Sequence, residues 1–203
     1  MPYAPEHKEQ TRARIVECAR RMFNRHGFEA VSIDQIMASA GLTRGGFYHH
    51  FANKEALYSE ALASYARCNP AADLNLAAPA RQVVLQMVNA YLSRQHLEDI
   101  DRHCPMIALP SDVARAGPAV RRTYEVLLGG MLGVFERGVD PADGDARQAA
   151  LAIAALCVGG MVLARTVEDS ALATETREAA RLLALEVGGL DAATPVSASA
   201  SSN

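Results

Sequence analysis

The 203-residue chain has no tryptophan, only five phenylalanines and six tyrosines, and no apolar run as long as a bilayer is thick. Its longest such run, Ala149 to Ala164, counts sixteen residues, where a membrane helix needs roughly 20. A buried helix is the expectation, and no membrane partner. Cysteine is sparse too. Cys18, Cys68, Cys104 and Cys157 stand far apart with no CxxC pair, which argues against a disulfide framework or a zinc site and for a reducing compartment. A polar, charged N-terminus predicts no signal peptide and a cytoplasmic protein. Gly-rich phosphate loops, metal-ligand spacings and convergent acid/base residues are all missing. His96, His103 and Cys104 fit no usual ligand pattern, and adjacent His103 and Cys104 cannot face each other as a dyad. We therefore expect neither an enzyme nor a metal or cofactor; a small helical enzyme or ligand carrier remains as a remote alternative.

Charge of one sign is also lacking, since the net value is −3. The distribution says more. Residues 1–60 hold eight Lys/Arg against seven Asp/Glu, and the remainder twelve against sixteen. From Ser39 to Asn53 there are one arginine, two histidines and no acid, a local positive face of the kind a small DNA-reading surface needs. A solvated surface has the same look.

What is present is mostly Ala, Leu and Val at helical spacing, with neither strand alternation nor internal repeat. An all-α fold of about nine helices is predicted. Ile15, Ala19, Met22 and Phe23 mark one face of a helix over 7–26 that Gly27 stops. Ser32 and Gln35 form a capping box for a short second helix that Gly41 ends. Thr43 caps a third, roughly Arg44 to His50, and Asn53 a fourth reaching about Arg67. "CNPAADLNLAAP" reads as a linker. Val83, Val84, Met87, Val88, Tyr91 and Leu92 then share a stripe, and an irregular stretch punctuated by Pro105 and Pro110 follows. Pro118 opens a helix whose register runs through Val120, Tyr124, Leu127, Leu128, Met131, Leu132 and Phe135. The apolar helix at 149–165 and a last one at 172–187 close the fold. The division expected is 1–52, a head; 53–190, a body whose first helix links the two; and 191–203, a disordered tail.

In "GLTRGGFYHHFANKEAL" two glycines stand just before aromatics and histidines, although each costs about 0.8–1 kcal/mol in a helix interior. Two short helices joined by a tight turn make a helix-turn-helix, whose second helix enters the DNA major groove. Close backbone approach to phosphate or base then explains Gly45 and Gly46, as helix N-terminal amides bind anions. Thr43 offers a hydroxyl and Arg44 a fork for a guanine edge or phosphate. Tyr48 reaches the sugar-phosphate backbone, His49 and His50 add donors, and Lys54 adds charge. Ser32 either contacts phosphate or only caps. His50 has bracing the bundle as its second reading, and Gly45–Gly46 a loose turn. Phe47 and Phe51 are assigned to the core.

The segment "TRARIVECARRMFNRHGFEAVSIDQIMASAGLTRGGFYHHFANKEALYSEAL" resembles the DNA-binding domain of the tetracycline-repressor (TetR) family. Phe23, Gly27–Phe28, Ser32, Ile36 and the Gly41 turn carry the likeness, and "GFYHHFANKEAL" is its densest part; it covers residues 7–62. The remaining helices are similar to the family's ligand-binding and dimerisation domain in layout, and "HCPMIALPSDVARAGPAVRRTYE" is similar to one subgroup. The resemblance implies a homodimer on a palindromic double-stranded DNA operator, with recognition helices about 34–36 Å apart. It also implies a repressor that a small-molecule inducer releases by moving the two reading heads.

Two further sets of residues belong to the body. Residues 149–164 are apolar on every face and must be covered all round. Ala154, Ala155, Gly159 and Gly160 permit close helix approach, so this helix and the last, with Leu183, are assigned to a two-fold four-helix interface; a helix central to one chain is the alternative. Met87, Tyr91, Met106, Tyr124, Leu128 and Met131 are candidate pocket residues, methionine being adaptable, although such a stripe is also what plain core looks like. Cys104 joins them as a candidate. Beside Arg102 and His103 its thiolate would sense oxidants or electrophiles, the competing regulatory reading, whereas a buried filler is the bland one.

Overall fold

The computed structural model describes residues 5–67, 77–102, 104–141 and 144–190. Among them are ten α-helices and two 3-10 segments, with no strand. The helices are α1 (Pro5–Ala30), α2 (Ile33–Ser39), α3 (Lys54–Arg67), α4 (Ala80–Tyr91), α5 (Arg94–Glu98), α6 (Pro105–Ala108), α7 (Pro110–Arg115), α8 (Pro118–Gly138), α9 (Ala146–Thr166) and α10 (Ser170–Val187). The 3-10 segments are Arg44–His49 and Ile100–Arg102. The all-α class is as expected; the count exceeds nine because the proline-punctuated stretch breaks into several short helices. Pro105, Pro110 and Pro118 each sit in a helix's first turn, where the missing N–H costs nothing. His103, most of the linker and the tail at 191–203 lie outside the described residues.

Helix α1 buries Ile15, Val16, Ala19 and Phe23. Gly27 interrupts it as predicted: its φ of 78° and ψ of 168° are non-helical, and a short further helical piece reaches Ala30 beyond the kink. That left-handed φ is strained for residues with a Cβ. Ser32 and Gln35 form the predicted capping box: the Gln35 amide donates to Ser32 Oγ at 3.2 Å, and the Ser32 amide donates to Gln35 Oε1 at 2.8 Å. At the far end of α2, Leu42 N–H reaches the Met37 carbonyl and Gly41 N–H that of Ala38. Gly41 has φ 66°, so this is a Schellman stop.

Phe23, Phe28 and Tyr58 stack together, with Tyr58 4.6 Å from Phe28 and 5.1 Å from Phe23, while Phe47 and Phe51 are buried as assigned. These rings join α1, α2 and α3 into the head. Helix α3 also packs on α8. In the body, Val84, Val88, Leu92, Phe135, Ile153 and Met161 form a continuous apolar core among α4, α8, α9 and α10.

Helix α9 is long and apolar enough to cross a membrane by length and composition. It lies against α8, α10 and α6. Its expected all-round cover is incomplete within the chain: Ile153, Cys157, Met161 and Ala164 are buried, whereas Leu151, Ala155 and Leu163 face outward.

Candidate nucleic-acid interface

The segment after the Gly41 turn is a 3-10 helix over Arg44–His49, where a helix to His50 is predicted. Two consecutive glycines supply little helix propensity, and a tighter turn suits so short a piece. Thr43 occupies the N-cap position without making a side-chain cap bond. Thr43, Arg44, Gly45, Tyr48 and His49 are all exposed. Tyr48 is 59% exposed and sets its ring edge-on against buried Phe47 at 5.2 Å. Phe47 thus anchors the segment while Tyr48 is presented.

The two glycines have different surroundings. A Cβ on Gly45 would meet nothing within 4 Å, and one on Gly46 would touch only the Met37 side chain at 3.5 Å, an ordinary contact. Nothing inside the chain forbids alanine at either position.

Arg44 Nη1 donates to Asp34 Oδ2 of α2 at 2.6 Å. Sequence spacing does not show that pairing, because the two lie on opposite sides of the turn. Arg12 is the other partner that sequence reasoning missed. It bridges Glu60 of α3 and the His50 carbonyl, with its guanidinium carbon 4.2 Å from the centre of the Phe51 ring. His50 itself is half-buried, and its Nδ1 is enclosed with no hydrogen-bond partner. Burial, then the charges of Lys8, Arg12 and His49, hold its pKa below the ordinary imidazole value. This is the bracing position. Lys54 sits with Nζ 4.2 Å from the centre of the Phe28 ring, and its pKa is lowered chiefly by burial. Ser32 is exposed while capping, so the geometry allows both of its readings.

In the body, Met87, Tyr91, Met106 and Met131 are buried, and Tyr124 and Leu128 are partly buried. None of them lines the cavity of about 330 Å³ bounded by α6, α7 and the end of α9. Cys104 is fully enclosed, and burial raises its pKa against the opposing pull of the Tyr91 and Tyr65 hydroxyls. A thiol so placed is protonated at neutral pH, contrary to an exposed reactive thiolate; the Arg102 side chain and His103 lie outside the described residues. Of the five interface candidates, Ala155 and Leu183 are exposed and Gly159 partly so. Ala154 and Gly160 are corrected: both are buried in the chain's own core. A Cβ on Gly160 would lie 2.7 Å from that of Ala180, so this glycine serves the packing of α9 on α10.

A capped short helix, a Schellman turn and an exposed second segment, braced by α1 and α3, define a helix-turn-helix head on an all-helical body. Residues 15–61 match the family described as bacterial regulatory proteins, tetR family. The Tn10 TetC protein of Escherichia coli is 46% identical over 54 residues, 27% of each chain. AcrR of Shigella flexneri, an HTH-type transcriptional regulator, is 40% identical over 52 residues, 26% of this chain and 24% of its own. The chain thus matches about a quarter of the length of these relatives. Among solved structures, E. coli NemR in its reduced form superposes with a TM-score of 0.75 at 18% identity, covering 90% of this chain and 99% of that one. A TetR transcriptional regulator from Chloroflexus aurantiacus J-10-FL gives 0.72 at 24%, covering 87% and 95%. These two show the fold. The likeness to the tetR family of bacterial regulatory proteins thus rests on residues 15–61, the helix-turn-helix head.

Proposed function

We propose that the protein is a ligand-responsive repressor that binds a palindromic operator as a homodimer and leaves it when a small-molecule inducer binds the body. The observation that carries this reading is the exposed edge Thr43–Arg44–Gly45–Tyr48–His49, mounted on buried Phe47. In this reading Thr43, Arg44 and His49 meet base edges and phosphates, and Tyr48 meets the sugar-phosphate backbone. Gly45 and Gly46 admit the DNA, Ser32 holds a phosphate, His50 adds a donor and Lys54 adds a charge. Residues 1–52 are the reading head, 53–190 the ligand-binding and dimerisation body, and the site of action is the cytoplasm. The inducer sits among Met87, Tyr91, Cys104, Met106, Tyr124, Leu128 and Met131, which repack around it; methionine's unbranched chain suits that role.

The dimer face is the outward side of α9 and α10. Leu151, Ala155, Leu163, Leu172, Leu182 and Leu183 are exposed there, and a patch of this kind marks an interaction surface. Light scattering of the 21.7-kDa chain tests it: twice that mass is expected for the wild type and the single mass for Leu163→Glu with Leu183→Glu. A wild-type monomer at micromolar concentration sinks the interface.

Anisotropy titration against the protein's own upstream intergenic DNA and a scrambled control, at two salt concentrations, tests the DNA reading. Specific binding tighter by about 10³ or more, lost in Arg44→Ala and Tyr48→Ala, is the expected result. Equal and steeply salt-dependent binding to both DNAs counts against it.

The competing regulator is a thiol sensor acting through Cys104, which is buried in the core along with Tyr65 and Tyr91. Cys104→Ser separates the two. It abolishes an oxidant response if the thiol is the sensor and leaves a small-molecule response intact if it is not.

A further inference from the structure

At the Gly27 kink, helix α1 leaves two backbone groups to side chains of the body. In an unbroken α-helix the Phe28 N–H would bond the Asn24 carbonyl. Here the Phe28 N–H donates to Asp112 Oδ2 of α7 at 2.9 Å, and the Asn24 carbonyl accepts from Arg165 Nη2 of α9 at 3.0 Å. The kink and the clasp are matched in shape, since a Cβ on Gly27 would lie 3.1 Å from Asp112 Oδ2.

Both clasp residues line the same cavity. Its volume is about 330 Å³, and Ser111, Thr166, Ile107 and Val162 complete much of its wall. That is at the lower end of the ~300–1,000 Å³ typical of small-molecule clefts. The cavity therefore joins a cation, an anion and two hydroxyls to an apolar wall, and its two charges are the ones gripping the reading head. Arg165 presents a planar fork suited to carboxylate, and Asp112, whose Oδ1 already accepts from Arg115 Nη2 at 2.8 Å, has its Oδ2 to accept from a hydroxyl or amine.

We propose that this cavity is an effector site for a small organic acid bearing a hydroxyl or amino group, which takes Arg165 from the Asn24 carbonyl and Asp112 from the Phe28 amide and so unclasps α1 from the body. The ligand acts to the extent that it bonds the open clasp more tightly than the closed one, which is the differential affinity any such shift requires. The site is separate from the inducer residues assigned to the body core. Only its effect on DNA rests on the repressor reading; the release of α1 is measured without DNA.

A tethered carboxylate supplies the probe. In a Cys68→Ser background, whose remaining cysteines Cys18, Cys104 and Cys157 are buried, Thr166→Cys and Ser111→Cys are each alkylated with iodoacetate or with iodoacetamide. The first places a carboxylate in the cavity and the second its neutral isostere. Amide exchange over residues 24–30 is then followed by mass spectrometry. Carboxymethylation at one of the two positions should speed exchange there about tenfold over the carbamidomethyl control, and Arg165→Ala should erase the difference. Equal exchange for both adducts at both positions overturns the proposal, as does a difference that persists in Arg165→Ala. Operator titration of the same proteins separates the two readings. Faster exchange in a protein whose unmodified form binds no operator leaves the site standing without the repressor, and operator binding with unchanged exchange does the reverse.

Discussion

Arg44, at the start of the exposed 3-10 segment, is tied to Asp34 in the first turn of α2 by an ion pair of 2.6 Å, both side chains being more than half exposed. A pair this exposed contributes roughly 0–1 kcal/mol to folding. Its weight falls on recognition. Asp34 holds the arginine fork in one direction and keeps a negative charge beside the surface proposed to meet phosphate. Replacing it with Asn should strengthen binding to scrambled DNA several-fold while narrowing the gap to operator DNA. Anisotropy on both DNAs measures this, and an unchanged ratio would remove Asp34 from the account of specificity.

Ser32 permits a separation of folding from contact. Ser32→Ala deletes the acceptor for the Gln35 amide, and loss of such a cap costs about 0.5–2 kcal/mol. Urea denaturation should register that loss. If Ser32 also holds a phosphate, operator affinity falls in the folded variant and the salt dependence of binding becomes shallower by about one ion. A stability loss with unaltered affinity and salt slope would make Ser32 a cap alone.

His50 predicts a pH dependence. Its pKa in the fold lies below the ordinary imidazole value because burial and the neighbouring cations disfavour the charged ring. The unfolded chain therefore takes up a proton at a pH where the folded one does not, and stability rises with pH across that interval. The contribution is complete above about 6.5 and is lost as pH falls toward and below the folded value. His96, lowered chiefly by burial, has the same sign. Denaturation midpoints of wild type and His50→Asn should converge as pH falls from 7.5 to 5.5; parallel curves would contradict the assignment.

Neighbouring glycines in α9 should respond in opposite ways. Gly160→Ala drives a methyl to 2.7 Å from the Ala180 Cβ, with Leu92 at 3.3 Å. Ala180 has no flexible end to yield, so overpacking of about 1–3 kcal/mol outweighs the helix-propensity gain of about 1 kcal/mol. Gly159 has nothing within 4 Å, and its alanine variant keeps that gain. Chemical denaturation of the two variants under monomeric conditions checks the ordering.

Local signals explain why much of this fold can be read from sequence. The Ser32–Gln35 box, the Gly41 stop, the α4 stripe and the anchoring of Phe47 depend on residues within one or two turns of each other, and the structure has them where periodicity and capping put them. Arg12, Arg20, Asp112 and Arg165 were not legible. Arg20 is buried and donates to the Asp101 carbonyl, 81 positions away, and Arg165 reaches Asn24 over 141. Spacing carries no information about such partners. That the helix starting at Arg44 is of the 3-10 kind is not legible, because capping signals do not distinguish a 3-10 turn from a short α-helix. Ala154 and Gly160 were placed on the outer face because a helix apolar all round gives no clue to which side its own chain takes.

The grip of Arg12 on Glu60, the His50 carbonyl and the Phe51 ring also bears on how quickly a target is found. It ties the end of the 3-10 segment to α1 and α3 at once, so the reading surface is assembled before any encounter. Little loop-ordering entropy is then left to be lost on docking. On the proposed reading, the rate of capture is governed by diffusion and by the modest positive field around Arg44 and Lys54. On that reading, such a protein would scan DNA as a finished die rather than as wax taking an impression, and discrimination among sequences would show in how long it stays.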